Sequence, residues 1–415
     1  MHKGILQTAI AKWLKQGIIE PSTAVAAYNP VFAPKADGTL RVCIDYSPLN
    51  PFLVDAEWPL PRIAEIRFRL RGATRFSRID LREAFHILRI PEGHRDPTTF
   101  ISHLGKFRFT RMPFGLKTAP AFFQRFMDHV LRLCYKFAIW YQDDILVFSD
   151  EKTHTDKLSQ VLGALSESGC EVNQEKSEYN KSQIDFVGLR ISKDMIGCAL
   201  STEELRTWKV PTSVKAWQSL MGFLNCFRSY VPGFADLSAG LWPTADSPRP
   251  DLREGGIEQA RTLILRCMTK LDLHQYDDAK PGTLFTDASL TATGAVLTQE
   301  GKVIAVHSKG LTGPQSRYST TDRESLALLH GVEAFRVFIQ SEAGCEVATD
   351  HSALLTRRAE ELTPRQERWQ YRIKSIVRKV IFVKGAENPA DYWSREGARV
   401  MQGRTGMVTK VRSLN

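Results

Sequence analysis

A pair of adjacent carboxylates inside a hydrophobic stretch is the feature that most constrains this chain. Residues 139–148 read IWYQDDILVF, so Asp143 and Asp144 interrupt a run of bulky β-forming residues. Such a run predicts a β-hairpin with the two acids at its tip. Two neighbouring negative charges beside a core are unfavourable unless a cation binds them. The alternative, an acidic turn exposed to solvent, agrees poorly with the strongly hydrophobic flanks.

A third acid, Asp80, ends another predicted strand within residues 76–81 (FSRIDL). Because side chains alternate between the two faces of a strand, Ile79 and Leu81 should pack inward while Arg78 and Asp80 face a cleft. Phosphoryl-transfer enzymes bring such acids together, because two divalent cations about 3.5–4 Å apart activate the attacking hydroxyl and stabilise the leaving group. Carboxylate oxygens suit Mg²⁺. The pattern predicts one metal site built from Asp80 and the hairpin acids.

Composition places broad limits on the class of protein. A chain of 415 residues has room for about two to four domains. Its net charge of +10, from 56 basic and 46 acidic residues, favours a polyanionic partner but does not require one. The seven cysteines form no C-x-x-C pair, which excludes zinc knuckles and ribbons and favours reduced, buried thiols in an intracellular protein. No signal peptide or bilayer-spanning stretch is recognised, so no membrane partner is expected.

Periodicity in the first half predicts alternating strands and helices. Alternating apolar residues predict a strand over 40–44, and Thr118 and Pro120 are signals for the start of an amphipathic helix. The phenylalanine stripe of this helix is expected to be core. Three further features are predicted in this half: a helix over 153–169, strands over 184–191, and a Pro- and Gly-rich linker over 243–256.

Beyond the linker the predicted order is three strands, a long helix, a strand, a helix and a strand, which is typical of an α/β domain. The strands and the long helix are predicted over 284–286, 295–297, 303–306, 319–338, 346–349 and 380–383. One acid falls on each of a strand end, a helix, a second strand end and a final helix: Asp287, Glu324, Asp350 and Asp391. A lone acid at a strand end is usually a cap, but this ordered set is specific.

Ordered motifs carry a family resemblance. In the first half they are 17–22 (GIIEPS), 37–46 (DGTLRVCIDY), 60–63 (LPRI), 76–85 (FSRIDLREAF), 111–120 (RMPFGLKTAP) and 186–188 (FVG). With the hairpin acids, these motifs resemble the reverse transcriptases of gypsy-type LTR retrotransposons, relatives of retroviral polymerases. Residues 281–395 resemble the ribonuclease H domain of the same elements. So many motifs in one order make chance similarity negligible.

The resemblance implies a multidomain chain of α/β and α+β class. A right-hand polymerase with fingers, palm and thumb would precede an α/β ribonuclease H-like domain with a mixed five-stranded sheet. The implied domains are fingers and palm (1–195), thumb or connection with linker (196–280), the ribonuclease H-like domain (281–398) and a basic flexible tail (399–415). Because no aspartic protease motif and no integrase zinc module occurs, the chain is expected to be a polyprotein fragment or a truncated gene product.

The resemblance implies two metal sites. Asp80, Asp143 and Asp144 would hold metal in the polymerase, and Asp287, Glu324, Asp350 and Asp391 would hold it in the nuclease. Each site would bind two Mg²⁺ ions, with Mn²⁺ as an alternative. His351 follows the family pattern after Asp350, and both a packing and a catalytic role stay open. No histidine occurs between Thr356 and Asp391, so the loop histidine of retroviral and cellular relatives is expected to be absent.

Five further residues are implied to bind nucleotide or primer. Arg41 would grip the incoming triphosphate, with Lys35 nearby in the same fingers hairpin. Phe85 would crowd a ribose 2′-hydroxyl and so favour deoxynucleotides. Gln142 would lie beside the primer terminus, and Lys176 would protonate pyrophosphate. For both lysines, the alternative is an ordinary solvated side chain.

Departures from the family pattern leave a second interpretation open. Ala36 replaces a common lysine, Ser47 replaces an arginine, and Gln142 is more polar than usual. The first hypothesis is an active RNA-directed DNA polymerase with ribonuclease H activity that binds an RNA template, a DNA primer, RNA–DNA hybrid and dNTPs. The alternative is a decayed retroelement relic that only binds nucleic acid. A DNA-templated polymerase or a plain nuclease would explain only one half of the chain.

Overall fold

A computed structural model gives the fold of residues 2–34, 38–203, 211, 213–242, 254–268, 271, 273–340, 343–356, 362–377 and 379–394. The chain divides into two compact units. The first comprises Met1–Pro61 and Arg75–Lys181, and the second comprises Arg62–Thr74 and Ser182–Asn415. The second unit therefore includes a short piece of chain that lies between the two parts of the first.

The helices and strands up to residue 203 are, in chain order, α1 (His2–Lys15), β1 (Ile19–Pro21), β2 (Pro30–Pro34), β3 (Leu40–Ile44), α2 (Ile63–Arg69), β4 (Arg75–Asp80), β5 (Phe100–Ser102), β6 (Gly105–Phe109), α3 (Ala119–Val130), β7 (Ala138–Tyr141), β8 (Asp144–Ser149), α4 (His154–Glu167), β9 (Glu178–Lys181), β10 (Gln183–Phe186), β11 (Leu189–Ser192) and β12 (Met195–Cys198). Those that follow are α5 (Val214–Asn225), α6 (Phe234–Leu237), α7 (Glu254–Met268), β13 (Leu273–His274), β14 (Gly282–Ala288), β15 (Ala292–Gln299), β16 (Lys302–Gly310), α8 (Gly313–Ser316), α9 (Thr320–Ala334), α10 (Arg336–Ile339), β17 (Cys345–Thr349), α11 (Ala353–Thr356), α12 (Pro364–Lys374), β18 (Val380–Phe382) and α13 (Asp391–Ser394).

A four-stranded sheet in the order β7-β8-β4-β9 holds the candidate acids of the first unit. β4 pairs antiparallel with β8 on one side and with β9 on the other. The predicted alternation along β4 is confirmed, because Ile79 is fully buried whereas Arg78 and Asp80 are half-buried. Helices α3 and α4 contribute Phe123 and Val161 to the same core as Ile79. The polar end of β4, which carries Asp80, therefore lies on a well-packed hydrophobic core.

The N-terminal part of the first unit has its own core. A three-stranded sheet, β1-β6-β5, and a two-stranded hairpin, β2-β3, pack with α1. Leu6 and Ile10 of α1 are buried, as their helical spacing predicts. Leu14 continues the same spacing but is 41% exposed, since the helix ends one residue later at Lys15.

A mixed five-stranded sheet in the order β16-β15-β14-β17-β18 is the centre of the second unit. The three strands β14, β17 and β18 are parallel, and β14, β15 and β16 are antiparallel. Helix α9 packs on this sheet so closely that a Cβ at Gly331 would lie 3.0 Å from Ala295 Cβ. The predicted fold class is confirmed. The helix predicted over 319–338 is instead two helices, because α9 ends at Ala334 and α10 begins at Arg336, with Phe335 between them.

Helix α2 packs entirely within the second unit. Phe68 contacts the rings of Tyr276 and Phe338, with centroids 5.9 and 5.7 Å apart. The buried guanidinium of Arg67 donates a hydrogen bond to the carbonyl of Ile304, at the bulge where β15 and β16 lose register. An irregular strand leaves a carbonyl without a ladder partner, and Arg67 satisfies it.

Some predicted features lie partly or wholly outside the described residues. Residues 243–253 of the predicted linker and the tail over 399–415 are among them. The prediction of a linker to residue 256 was wrong at its end, because 254–256 form the first turn of α7. Within the part of the chain that the structure describes, no helix combines the length and the apolar character needed to cross a bilayer.

Replacing Phe68 with Ala should destabilise the second unit. The substitution removes the ring contacts with Tyr276 and Phe338, and we expect a loss of about 2–4 kcal/mol, near the range for a truncated core phenylalanine. Urea unfolding followed by intrinsic fluorescence would measure it. Phe52→Ala is the matched control, because Phe52 is 84% exposed. Equal unfolding midpoints for the two variants would show that α2 contributes nothing to the second unit.

Candidate active sites

The tip of the β7-β8 hairpin brings two acids of the first unit directly opposite one another. Asp144 pairs with Tyr141 across the hairpin and with Asp80 on the neighbouring strand β4. Asp143 lies in the two-residue turn, next to Gln142, whose φ of 57° is left-handed. Because residues other than glycine rarely adopt this conformation, the turn is strained. The structure thus brings Asp80, Asp143 and Asp144 together at one edge of the sheet.

Asp80 is fixed by the loop that leads into β9. The Asn173 side chain donates to Asp80 Oδ1 at 3.2 Å, and the Asn173 amide donates to the Asp80 carbonyl at 2.8 Å. Ser177 Oγ accepts from the Asp80 amide at 3.1 Å. These contacts hold the Asp80 carboxylate at a defined place on the strand.

The charges around the turn are partly balanced by basic groups. Partial desolvation, with the charge of Asp80, raises the pKa of Asp143. Desolvation and the charge of Asp143 likewise raise the pKa of Asp144. Lys176 acts in the opposite direction on both acids, and Arg41 does so on Asp143. Both shifts therefore reflect partial burial first and repulsion between the acids second, and a bound cation would offset both.

Arg41 and Phe85 lie on one aromatic cluster. The guanidinium of Arg41 is 5.5 Å from the ring centroid of Phe114, a cation–π distance. Phe85 contacts Phe114 at 5.1 Å and the buried Phe123 at 5.4 Å. The structure therefore groups Arg41 and Phe85, with Arg41 and Lys176 both within electrostatic reach of Asp143. Lys35, the remaining predicted fingers residue, lies outside the described residues.

Three acids of the second unit converge at the ends of β14 and β17. One carboxylate oxygen from each of Asp287, Glu324 and Asp350 lies within 4.8 Å of the others. Asp287 and Glu324 are buried, and Asp350 is half-buried. Among the described residues this is the one group of three acids, histidines or cysteines that meets this spacing, so Asp391 on α13 is not part of it. The hairpin acids of the first unit do not meet it either.

The triad fits a divalent cation. Burial, together with the charges of Asp287 and Asp350, raises the pKa of Glu324 to about 8. The Ala288 amide donates to Glu324, but Glu324 Oε2 is buried without a hydrogen-bond partner. An orphaned carboxylate oxygen next to two further acids supplies the hard oxygen ligands that Mg²⁺ or Mn²⁺ takes. The acidic triad can therefore hold a metal ion.

Helix α13 braces Asp287 from behind. Ser394 Oγ, itself fully buried, donates to Asp287 Oδ2. The helix can approach this closely because Gly294 lies beneath it, where a Cβ would be 2.6 Å from the Ser394 nitrogen. Asn388 ties the preceding loop to β14 by donating to the Thr286 carbonyl at 3.0 Å. The C-terminal helix thus sets the orientation of the first acid of the triad.

Two family models match the chain. One, described as reverse transcriptase (RNA-dependent DNA polymerase), matches residues 33–191, and the other, described as an RNase H-like domain found in reverse transcriptase, matches residues 277–375. The chain carries a reverse transcriptase domain followed by a ribonuclease H-like domain. The hairpin acids fall in the first match and the triad in the second, which confirms the predicted family.

The curated relatives are retrotransposon polyproteins. The chain is 32% identical over 403 residues to the Transposon Tf2-3 polyprotein of Schizosaccharomyces pombe, and 31% identical to the Tf2-7 polyprotein. Each alignment covers 93% of this chain and 30% of the relative. The reverse transcriptase and ribonuclease H-like domains are thus homologous to those of Ty3/gypsy-type elements, and the chain spans under a third of these relatives.

Solved structures show the same fold. The foamy viral protease-reverse transcriptase dRH in complex with double-stranded DNA superimposes with a TM-score of 0.77, at 22% identity, over 92% of this chain and 69% of that one. The same viral enzyme in complex with RNA/DNA hybrid gives 0.75 at 21% identity, over 92% and 54%. At this identity the likeness establishes the fold alone.

Several site residues were missed by sequence reasoning. They are polar residues that hold the candidate acids or the hairpin beside them: Gln124, Asp128, Asn173, Ser177 and Ser394. One signal was available for the first two, because they interrupt the apolar face of α3 beside Phe123 and Met127. No such pattern marks Ser394, whose partner is 107 residues away in the chain.

Replacing Ser394 with Ala should weaken cation binding by the triad. Without the hydroxyl, Asp287 loses its fixed orientation, and loss of such a supporting partner lowers metal affinity by about 10–100-fold. Titration with Mn²⁺ followed by electron paramagnetic resonance would measure the change. Ser316→Ala, on the surface helix α8, is the control. If Ser394→Ala binds Mn²⁺ as tightly as the wild type does, α13 does not contribute to cation binding at this site.

Cation affinity of the triad should increase with pH. Up to about pH 8 the folded protein holds a proton on Glu324 that a cation must displace, so Mn²⁺ affinity should rise by up to about tenfold per pH unit between about pH 6 and 8. Without a cation, the raised pKa of Glu324 means that its protonated form stabilises the fold. This contribution is fully present below pH 4.5, the ordinary pKa of the group, and is lost as pH rises through about 8. Glu324→Gln should bind weakly at every pH, and a flat wild-type profile would contradict the argument.

Proposed function

We propose that the chain is an RNA-directed DNA polymerase with ribonuclease H activity, working by metal-assisted phosphoryl transfer. The observation that carries this proposal is the pairing of Asp144 with Asp80, next to Asp143 in the turn. Three acids at one sheet edge, opposed by Arg41 and Lys176, form a site for cations and a polyphosphate. Membership of the reverse transcriptase family supports the same reaction.

Each polymerase residue has a role that follows from its place. Asp80, Asp143 and Asp144 would hold divalent cations, which supply activation of the primer hydroxyl and neutralise charge on the phosphates. Arg41 binds the triphosphate, and Lys35 is proposed to assist it. Phe85, packed against Phe114, restricts the ribose 2′ side of the nucleotide site. Gln142 contacts the primer end from the turn, and Lys176 donates a proton to pyrophosphate.

The second site is proposed to cut RNA in RNA–DNA hybrids. Asp287, Glu324 and Asp350 would hold the cations that activate water for attack on the phosphodiester. Asp391 is proposed as a fourth ligand that approaches when cation and hybrid bind, since it lies on the helix whose Ser394 already contacts Asp287. Recognition of the hybrid would rest on backbone shape and charge, in keeping with the net charge of +10.

We assign four regions to these activities: fingers and palm (1–195), thumb or connection (196–280), the ribonuclease H-like domain (281–398) and a basic tail (399–415). The proposed partners are an RNA template, a DNA primer, the hybrid they form and dNTPs. Complexes of the foamy viral enzyme with double-stranded DNA and with RNA/DNA hybrid support this choice by fold. Homology to retrotransposon polyproteins supports action inside the cell, on the way from element RNA to DNA.

Single substitutions should separate the two activities. Asp143→Asn removes a carboxylate of the first unit, so primer extension on an RNA template with Mg²⁺ and dNTPs should fall by at least about 10³-fold while cleavage of labelled hybrid is retained. Glu324→Gln should do the reverse, since it acts only on the triad. Extension would be followed on an oligo(dT)-primed template, and cleavage on a pre-formed hybrid.

The wild-type protein decides between the two readings of the family. Extension and cleavage together support the proposal. Binding of RNA without extension would identify the chain as a relic that retains the fold but not the chemistry. Loss of both activities from either substitution would contradict two independent sites.

A further inference from the structure

Two polar side chains of α3, Gln124 and Asp128, connect the turn of the β7-β8 hairpin to a distant segment of the first unit. Gln124 is 1% exposed and lies beside the fully buried Phe123. Asp128 lies one turn after Gln124 and directly follows the fully buried Met127. A polar side chain in such a place is unfavourable unless hydrogen bonds satisfy it. Their side-chain hydrogen bonds join the two residues to each other, to the hairpin and to the indole of Trp58.

Gln124 supports the strained residue of the turn. Its Oε1 accepts the backbone N–H of Gln142 at 2.9 Å, and its Nε2 donates to the Trp140 carbonyl at 3.5 Å. A left-handed conformation is unfavourable at a residue other than glycine, so it persists only where its surroundings fix it. The bond from Gln142 provides that restraint immediately before Asp143.

Asp128 holds Gln124 and two indoles at once. Its Oδ1 accepts from Gln124 Nε2 at 3.2 Å and from Trp140 Nε1 at 2.6 Å. Its Oδ2 accepts from Trp58 Nε1 at 2.5 Å. Hydrogen bonds to an ionised carboxylate are shorter and about twice as strong as neutral ones. A continuous path of hydrogen bonds therefore runs from Trp58 through Asp128 and Gln124 to Gln142.

Trp58 belongs to a segment whose other anchors lie mainly at its start, where the Asn50 side chain bonds the backbone of Gly115 and Lys117 and Leu53 packs on the core. Residues 50–61 contain a single 3-10 turn, and Phe52 and Val54 are 84% and 88% exposed. Asp55 pairs with Lys117 at 2.7 Å, but its side chain is 81% exposed, where an ion pair contributes little. Trp58 is more firmly held, because its indole bonds Asp128 and stacks under Arg125 at 5.4 Å.

We propose that Gln124 and Asp128 are positioning residues for the polymerase turn, and that Trp58 couples the placement of residues 50–61 to that turn through Asp128. The inference rests on the proposed polymerase function for its effect on rate, but its structural part stands without it. When Trp58 is seated, Asp128 orients the Gln124 amide, and the amide holds Gln142 and hence Asp143. When Trp58 leaves, the turn loses this restraint.

Two variants of the full chain test the path. Asp128→Asn replaces one acceptor oxygen by an NH₂ group that faces indole donors, and Trp58→Phe removes only the indole N–H. Loss of a hydrogen bond to a charged group corresponds to about 10–100-fold in rate, so we expect kcat for primer extension to fall by that factor in Asp128→Asn. The fall should be about 3–10-fold in Trp58→Phe. KM for dNTP and affinity for primer–template should change by less than about threefold, because no binding contact is removed.

The double variant tests whether the two residues act in series. If Trp58 acts through Asp128, the double variant should be no slower than Asp128→Asn alone, whereas independent effects would multiply. Asp156→Asn is the matched control, since Asp156 is an exposed acid of α4. Hybrid cleavage by the second unit should be unchanged in every variant and reports on correct folding of that unit.

Amide hydrogen exchange tests the structural part without any catalytic assay. Peptides covering 138–149 and 50–61 should exchange faster in Trp58→Phe and Asp128→Asn than in wild type, while peptides from β14 and β15 should not change. Unchanged exchange in the hairpin would overturn the proposal. A second outcome is that the hairpin exchanges faster in the variants but the wild-type protein extends no primer. This result would support the positioning path and contradict the polymerase function. Faster exchange throughout the chain would mean general destabilisation and would also overturn it.

Discussion

Repulsion between clustered carboxylates is the constraint on which the rest of the structure depends. Like charges a few ångströms apart repel strongly where water is partly excluded, so the scaffold must hold acids that would otherwise separate. In the first unit the register of β4 with β8 does this for Asp80 and Asp144. In the second, hydrogen bonds from Ser394 to Asp287 and from the Ala288 amide to Glu324 do it, and protonation of Glu324 relieves part of the repulsion. In both units, therefore, acids at strand ends are held in place by the strands and by hydrogen-bond donors, against their mutual repulsion.

Sequence patterns predicted most of what lies on a single strand or helix. Alternation along β4 gave the inward Ile79 and the outward Asp80, because the two-residue period of a strand is a local property. The hairpin carrying Asp143 was predicted from its β-forming flanks, and the resemblance to gypsy-type elements supplied the order of the acids. Because family and fold rest on many short motifs, the departures at Ser47 and Gln142 did not obscure them.

Contacts between remote segments were beyond the reach of those patterns. The end of the long predicted helix at Phe335, the bond from Ser394 to Asp287 and the network at Asp128 all depend on partners far away in the chain. Helical periodicity continues across residue 335, so nothing local marks the break. A polar residue on a buried face does indicate that a partner exists, but one sequence does not identify it.

The place of α2 has a consequence for the order in which the chain can fold during synthesis. Arg67 contacts Ile304 across 237 residues, and the strand β4 that carries Asp80 begins soon after α2. The ribosome would therefore release α2 long before its partners in the second unit are synthesised, and the apolar face of α2 would stay exposed in the nascent chain until then. Non-local pairing of this kind slows folding and exposes intermediates to aggregation. Native packing of α2 thus requires translation to have passed Phe338, the most distant of its ring partners.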